Sequence, residues 1–313
     1  MKMKRNARIE LVILLALGGG VILTMLLPQV AARRRAAPPT EVSVILREAD
    51  TALWSNVRLG MEQAAGELGA ELRVLTPAGN NDGAGQLDLL RREAGQTAVL
   101  VIAPADCAGL DRALAETGAG CPIVSLESPL AKADLTVAPD NAALGAALAE
   151  AALAQGGEGY VLLLSASPDS AGVAARLEGA RQALEAAGAR VRVGETDLSG
   201  TGLADLLKQP DLSAVMAFEP ALTEQAAALK DSLGLDLPLY GAGVTARGAA
   251  WLERGVISAA AAWSDFAVGY LAVEGAMALA RGRAAQPEQL PFFIVRGEEI
   301  YEPEYQKLLF PVG

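Results

Sequence analysis

Two glutamates and two tryptophans stand where they could bind a small molecule. Glu127 and Glu219 each follow a short apolar run, and their carboxylates could accept hydrogen bonds from hydroxyl groups or pair with an amine. Trp54 and Trp263 could stack a flat face on a sugar or another ring. The structural alternatives are a solvated or helix-capping glutamate and a tryptophan packed in a core. The four residues together predict a site for a hydroxylated or amine-bearing ligand.

Further candidates lie at the ends of predicted strands. Arg47 could pair with one of the glutamates or with a ligand carboxylate, although an ordinary surface arginine fits its position equally well. The Asp-Asn pair at 140–141 is also typical of a hinge turn that caps the next helix. These additional candidates are Arg47, Asp50, Thr51, Asp140, Asn141 and Phe218.

The sequence lacks the residues that most catalytic and metal sites require. It contains no histidine, which excludes His-based triads, histidine general bases and histidine metal ligands. Nothing in the sequence sets the distance between Glu127 and Glu219, so a glycosidase carboxylate pair has no support. Residues 241–243 (GAG) resemble half of a dinucleotide loop but lie late in the chain. We therefore expect no catalytic residues, no cofactor and no metal ion in a protein that is not an enzyme.

The two cysteines are expected to be free thiols. Cys107 and Cys121 lie at opposite ends of one predicted helix. A helix of that length holds them about 15–20 Å apart, at about 1.5 Å per residue. A disulfide requires Cα atoms within about 7 Å. Both residues are therefore predicted to pack as small apolar side chains.

The charge distribution argues against nucleic-acid binding. The 313 residues carry a net charge of −11, and nearly all charged residues in 1–40 are basic, so the rest of the chain is more acidic still. Such a body repels phosphate backbones. Its 52% hydrophobic content is enough for a sizeable core, and its length allows about two globular units.

Residues 11–27 form an uncharged apolar segment after a basic start. As a helix this segment spans about 26 Å, just short of a hydrocarbon core of about 30 Å. The alternative is a cleavable signal peptide with small residues at 30–32 before the cut. Arg33 directly after that cut favours a retained transmembrane helix. We expect the remainder to lie at the extracytoplasmic face of the bacterial membrane, or to be periplasmic or secreted if the segment is cleaved.

From residue 41 onward, short β-branched runs alternate with longer Ala/Leu-rich amphipathic stretches, and an extended tail is predicted at the end. This alternation predicts parallel sheets with right-handed crossovers, in two lobes of similar architecture. Ligands bind beyond the carboxyl ends of strands in such sheets, which is where the candidate residues lie. The predicted strands are 42–46, 71–75, 98–102, 122–126, 160–164, 190–193, 214–217, 238–240, 256–262 and 292–295, and the predicted helices are 53–68, 86–94, 108–117, 142–154, 171–187, 203–208, 221–233, 247–253 and 266–280.

Several blocks of sequence resemble a known family in order and spacing. They include ILREADTALWSNVRLGMEQAAGELG, LVIAPADCAGLDRAL, CPIVSLESPL, VAPDNAALGAALAEAAL, AARLEGARQALEAAG, DLSAVMAFEPALTEQAAAL and GVISAAAAWSDFAVGYLAVEGAMAL. This pattern is similar to periplasmic sugar-binding proteins of the ribose-binding type, whose type I periplasmic binding protein fold is shared with lactose-repressor-type ligand domains. Those repressors carry a DNA-reading helix-turn-helix where this chain has its apolar segment.

The resemblance implies two doubly wound α/β lobes joined by a three-segment hinge that closes over a small molecule. The hinge segments would lie near Pro139–Asn141, 263–264 and Leu290–Phe292. The first lobe would comprise 41–139 plus 264–290, and the second 142–262 plus 291–313, after an anchor helix and linker over 1–40.

The resemblance also implies roles for individual residues. An aromatic that stacks on the sugar corresponds to Trp54, and polar ligands of its hydroxyls correspond to Asp50 and Thr51. Glu127 takes the place of an aspartate that grips the sugar. In the second lobe, the gripping arginine falls on Ala174, which predicts a pocket poor in positive charge. The other departures from the family pattern are Phe218-Glu219 for an Asn or Asp, Gly243 for an Asp and Trp263 for a Gln.

The sequence thus predicts an extracytoplasmic solute-binding protein that captures a sugar, a polyol or an amine-bearing analogue by hinge closure. Its partner would be the membrane permease of an ABC-type transporter. The alternative is a membrane-tethered ligand sensor that partners a receptor histidine kinase. Neither function involves nucleic acid.

Overall fold

A computed structural model of the chain describes residues 39–48, 54–118, 120–196, 202–286 and 289–309. The residues from Thr40 onward form one compact unit. The apolar segment 11–27 lies outside the described residues, so the predicted anchor stays a prediction. Among the described helices, none is long and apolar enough to cross a membrane.

The described chain alternates strands and helices along most of its length. The strands are β1 (Thr40–Ile45), β2 (Ala70–Leu75), β3 (Val99–Ile102), β4 (Ile123–Leu126), β5 (Leu135–Pro139), β6 (Tyr160–Ser165), β7 (Arg190–Glu195), β8 (Leu212–Ala217), β9 (Leu239–Ala242), β10 (Ala259–Trp263), β11 (Gln289–Leu290) and β12 (Phe292–Val295). The helices are α1 (Ser55–Leu68), α2 (Gly83–Glu93), α3 (Cys107–Thr117), α4 (Asn141–Gln155), α5 (Ala171–Ala186), α6 (Leu203–Leu207), α7 (Pro220–Leu233), α8 (Ala246–Glu253), α9 (Asp265–Ala280) and α10 (Pro303–Leu309).

The strands form two six-stranded sheets, one in each lobe. Their orders are β11-β5-β4-β3-β1-β2 and β12-β10-β9-β8-β6-β7. The pairings are parallel except that of β12 with β10. β10 ends at the hinge and β12 begins there, with Trp263 paired to Phe292, so the two must run in opposite directions. The prediction of two α/β lobes is confirmed, whereas this antiparallel pair was not foreseen.

The chain passes between the two sheets after β5, after β10 and between β11 and β12. These crossings lie side by side, because Leu290 pairs with Pro139 and Phe292 pairs with Trp263. The sheets are therefore joined by three adjacent strand ends rather than by one flexible linker.

Each sheet is buried because helices cover both of its faces. β3 and β4 are buried along their whole length, as expected for short Val/Ile/Leu runs in a parallel sheet. The cores of both lobes are built mainly from Ala, Leu and Val, in agreement with the 4% aromatic content of the chain.

Glycines let the helices on one face of each sheet pack at short range. A Cβ atom at Gly269 of α9 would lie 1.8 Å from the Val57 carbonyl oxygen of α1. The same holds in the second lobe, where a Cβ atom at Gly145 of α4 would lie 1.8 Å from the Arg176 carbonyl oxygen of α5. Close packing of α4 on α5 fixes Arg176 next to the hinge.

The sequence-based elements differ from the structure at the hinge and in the tail. β5 and β11 were not predicted, and β10 begins at residue 259 because residues 254–258 form turns and bends. The tail predicted to be extended contains a 3-10 turn over Gly297–Glu299 and helix α10. Cys107 and Cys121 are free and lie near opposite ends of α3, as predicted.

Candidate functional site

The carboxyl ends of the central strands in both sheets face the space between the lobes. From the first lobe, Arg47 and Glu48 follow β1 and Glu127 follows β4. From the second lobe, Glu219 follows β8 and Trp263 ends β10. All five side chains are buried, although four of them carry an ionisable group. Burial of so many polar groups requires that they pair with one another.

Arg47 is the centre of the first-lobe cluster. Its Nε lies 2.7 Å from Glu48 Oε1 and its Nη1 lies 2.6 Å from Glu127 Oε2. Its guanidinium carbon lies 5.4 Å from the centre of the Trp54 ring, a cation–π distance. The Trp54 indole N–H in turn donates to Glu48 Oε2 at 2.5 Å. One guanidinium is thus enclosed by two carboxylates and an aromatic face.

Arg176 is the buried arginine on the second-lobe side that corresponds to Arg47. Its Nε donates to Asn141 Oδ1 at 2.7 Å and its Nη1 donates to the Phe218 carbonyl oxygen at 3.2 Å. Its guanidinium carbon lies 4.6 Å from the centre of the Trp263 ring. Asn141 also donates through Nδ2 to the Glu127 carbonyl oxygen at 2.8 Å, which links the cluster to the first lobe. Arg176 Nη2 makes no hydrogen bond to any described residue.

Acidic groups outnumber basic groups in this network. Burial raises the pKa of Asp265, at the start of α9, to about 7, and the negative charge of Glu127 adds to this effect while Arg176 opposes it. Burial also acts to raise the pKa of Glu127, but Arg47 and Arg176 outweigh it and the pKa is lowered. Glu127 is therefore ionised at neutral pH, whereas Asp265 titrates close to neutrality.

Two further glutamates are held in the network with raised pKa values. Burial raises the pKa of Glu48 despite its pairing with Arg47. Burial likewise raises the pKa of Glu219, whose Oε1 accepts a hydrogen bond from the Ala166 backbone N–H at 3.0 Å. Among the described residues, the network contains four acids, Glu48, Glu127, Glu219 and Asp265, and two arginines, Arg47 and Arg176.

Direct hydrogen bonds between the lobes close one side of the cleft. Asn81 Nδ2 donates to Ser167 Oγ at 2.7 Å, and the Cys107 backbone N–H donates to the Asp169 carbonyl oxygen at 3.1 Å. The Ser128 and Ser170 hydroxyls lie 2.9 Å apart. We call these contacts the seam; it holds the lobes in a closed arrangement.

The remaining cavity is small because side chains fill the cleft. It measures about 20 Å³, enough for about one water molecule. Its polar lining comprises Arg47, Glu48, Glu127, Thr245 and Asp265, with Trp54 on one wall. Three of the four charged groups on this wall are carboxylates.

The structure brings most of the sequence-predicted residues together. Asp140 does not join the cluster, because its exposed side chain caps α4 by accepting from the Ala143 N–H at 3.0 Å. Phe218 contributes only its carbonyl oxygen, since its ring is buried in the core. Asp50 and Thr51 lie outside the described residues. The residues in or next to the cluster are Arg47, Trp54, Glu127, Asn141, Glu219 and Trp263.

Three members of the network were missed, namely Glu48, Arg176 and Asp265. Ala174, on which the resemblance places the gripping arginine, is exposed, whereas Arg176 of the same helix is fully buried. The signal was present in the sequence. Arg176 lies three residues after Val173 and four before Ala180 on the buried stripe of α5, where a charged residue needs a partner.

Comparison with known proteins shows the family to which the chain belongs. The family model described as a periplasmic binding protein domain matches residues 42–284. The chain therefore belongs to the periplasmic binding protein family. A search of curated protein sequences finds no match.

Solved structures share the fold at low sequence identity. An ABC transporter solute-binding protein from Agrobacterium vitis with bound D-fucose is 19% identical over 86% of this chain and 100% of its own, with a TM-score of 0.79. A carbohydrate transporter solute-binding protein from Agrobacterium radiobacter in complex with D-arabinose is 18% identical over 88% and 100%, with a TM-score of 0.80. A structure described as the XylFII-LytSN complex is 17% identical over 83% and 98%, with a TM-score of 0.71.

Proposed function

We propose that this chain is the extracytoplasmic solute-binding component of an ABC-type transporter and that it captures a small sugar-like ligand between its lobes. The observation that carries the proposal is the buried polar cluster at the facing strand ends of the two sheets. A cleft of this kind, with convergent hydrogen-bonding groups and aromatic walls, is the usual form of a small-molecule site. Membership of the periplasmic binding protein family supports an extracytoplasmic location of the chain.

The ligand would be held by both lobes and would favour the closed arrangement. Glu127 offers acceptors from the first lobe and Glu219 from the second, and Arg176 Nη2 retains donor capacity toward a ligand oxygen. The three adjacent strand crossings provide the axis about which the lobes turn, and closure then buries the ligand. The lobe boundaries given above, 41–139 plus 264–290 and 142–262 plus 291–313, belong to this proposal.

We assign the two tryptophans a role other than stacking on a ring of the ligand. In the closed arrangement each ring faces an arginine, Arg47 on Trp54 and Arg176 on Trp263. We infer that the tryptophans orient these guanidinium groups, which in turn orient the carboxylates that contact the ligand.

The amino-terminal segment 11–27 would hold the protein at the outer face of the membrane. Its support is the uncharged run itself and the arginine at position 33, which disfavours cleavage. Sequencing of the mature amino terminus tests this point, since a chain that begins at residue 33 contradicts a retained anchor.

A sensor role that depends on a protein partner is the second candidate. Its support is that one protein of the same fold occurs in a complex described as XylFII-LytSN. The ligand-binding cleft would be the same in both roles. Only the protein that recognises the closed form, a membrane permease or a receptor histidine kinase, would differ.

Calorimetric titration of the full chain with D-fucose, D-arabinose and D-tagatose tests the proposed cleft. We expect Trp263→Ala to weaken binding about fivefold or more, which corresponds to about 1 kcal/mol, because Arg176 loses the ring that orients it. The matched control is Trp251→Ala, because Trp251 lies on α8 with its ring against Arg254 and away from the cluster. Weakening by Trp251→Ala alone contradicts this assignment of the cleft, and the proposed function fails if neither these neutral sugars nor amino or acidic sugars bind.

A further inference from the structure

The charges that line the cleft indicate which class of ligand it takes. The cavity wall carries the carboxyl groups of Glu48, Glu127 and Asp265 against one guanidinium, that of Arg47. Beyond the wall, Glu219 and Arg176 add one acidic and one basic group, so acidic groups still outnumber basic groups among the described residues. An additional anion in this buried space would face ionised Glu127 and further acidic groups, and of the two arginines only Arg176 has an N–H group that bonds to no described residue.

The surroundings of Arg47 define a place for a cation. Its guanidinium makes ion pairs of 2.7 and 2.6 Å with Glu48 and Glu127 and lies over the Trp54 ring. Two carboxylates and an aromatic face are the groups that bind an ammonium or guanidinium group of a ligand. Arg47 directly precedes Glu48 on the segment that leaves β1, and its side chain is buried in the cluster.

We propose that the cleft selects an amine-bearing ligand, whose ammonium group takes the place of the Arg47 guanidinium between Glu48 and Glu127. This inference rests on the proposed function, since it names the ligand class for the same cleft. In the absence of the ligand, the Arg47 guanidinium neutralises Glu48 and Glu127, and the cationic ligand replaces it there. Arg47 is then not a receptor for a ligand carboxylate.

Matched sugars separate charge from shape. Titrations of the full chain at pH 6.5 would use D-glucosamine and D-galactosamine, with D-glucose, D-galactose and N-acetyl-D-glucosamine as neutral counterparts and D-glucuronate as the anion. We expect at least one amino sugar to bind about tenfold tighter than its neutral counterpart, the factor that corresponds to about 1.4 kcal/mol. Ion pairs buried at interfaces reach or exceed that coupling.

Two variants test the roles of the named side chains. Glu127→Gln keeps the size of the residue and one accepting oxygen but removes the charge, and we expect it to abolish the preference for the amine. Arg47→Met removes the competing cation, and we expect it to tighten binding of the amino sugar several-fold. Each variant is judged by the ratio of amino sugar to neutral sugar, which is insensitive to a general loss of folded protein.

The outcomes distinguish this inference from the proposed function. If a neutral sugar binds as tightly as its amino counterpart, the inference is wrong and the proposed function stands. If D-glucuronate binds best and Arg47→Met abolishes that binding, Arg47 is an anion receptor and the inference is likewise wrong. If neither amino sugar binds, the inference fails. If none of the amino, neutral and acidic sugars binds, the proposed function fails with it.

Discussion

At the scale of single residues, the cleft is organised by two arginines that each lie between an aromatic ring and a hydrogen-bond acceptor. Arg47 bonds carboxylates, whereas Arg176 bonds an amide and a backbone carbonyl oxygen. Arg47 therefore neutralises acidic groups directly, while Arg176 acts on Glu127 and Asp265 only through space. The second arginine is consequently the one with spare donor capacity.

The titration of Asp265 gives a prediction for stability against pH. Its pKa of about 7 in the folded protein lies above the ordinary value of 3.8, chiefly because of burial and then of Glu127. The stability that this raised pKa provides is full below about pH 4 and is lost as the pH rises through about 7. Asp265→Asn, which cannot ionise, should therefore unfold at a higher temperature than the wild type at pH 8, by at least about 2 °C.

The gain from Asp265→Asn should shrink toward pH 5, because the wild-type carboxyl is then protonated as well. The measurement is the thermal unfolding midpoint of both proteins from pH 5 to pH 8. Asp88→Asn is the control, since Asp88 is highly exposed. A difference between Asp265→Asn and wild type that does not change with pH contradicts the assignment.

Glu127 combines its role in the cluster with an unusual backbone. Its φ angle of 59° lies in the left-handed region, which costs a residue with a side chain about 1–2 kcal/mol. This conformation could not be predicted from the residue type, because glutamate does not favour the left-handed region. A strained non-glycine residue at a polar cluster is typical of a functional position.

At the scale of elements, close packing of α1 on α9 should tolerate no side chain at position 269. We expect Gly269→Ala to destabilise the protein by about 1–3 kcal/mol, because the new Cβ would lie 1.8 Å from the Val57 carbonyl oxygen. Gly66→Ala on the exposed face of α1 is the matched control, with no heavy atom within 4 Å of the added carbon. This control should be neutral or gain about 0.5–1 kcal/mol.

Chemical denaturation of the two variants measures both effects. Equal behaviour of Gly269→Ala and Gly66→Ala would show that α1 and α9 can move apart without cost. The lobe would then be softer than its packing indicates.

Most strands and helices could be predicted because their hydrophobic periodicity is strong. The exceptions have physical reasons. β11 has only the length of Gln289–Leu290, and β5 exists because it joins β4 and receives β11 at the hinge, which are tertiary contacts. The tail helix α10 packs through Tyr305 on Phe293, a contact between residues that no local pattern relates.

The candidate site was predictable in position but not in pairing. The rule that ligands bind at strand ends located Arg47, Glu127, Glu219 and Trp263. It could not show that Arg47 turns to Glu48, its own neighbour in sequence, or that Arg176 reaches the cleft from within a helix. Those contacts depend on side-chain directions, which the spacing of residues does not encode.

At the scale of the whole molecule, the seam predicts that closure protects one cysteine and not the other. Cys107 lies in the seam, where its Sγ accepts a hydrogen bond from the Ala171 N–H at 3.3 Å, whereas Cys121 contacts Ala94 of its own lobe. Asn81→Gly removes a seam hydrogen bond and suits the φ angle of 54° at that position. We expect it to raise the alkylation rate of Cys107 relative to Cys121, up to about fivefold for one hydrogen bond.

The ratio of the two alkylation rates is measured by mass spectrometry after a short pulse of iodoacetamide. Ser232→Ala is the control, because Ser232 bonds only within α7. An equal rise at both cysteines would indicate general loosening and would contradict a role of the seam in closure.

The three crossings of the chain have a consequence for the order of folding. The first lobe contains β1 to β5 together with α9 and β11. Along the chain, α9 and β11 come after every strand of the second lobe except β12. A ribosome therefore finishes nearly the whole second lobe before it synthesises the helix that covers Val57 and Met61. Closing that long loop makes the first lobe the slower of the two to fold. The half of the molecule that is made first is thus completed last, and the face of its sheet that α9 covers stays open until that helix is made.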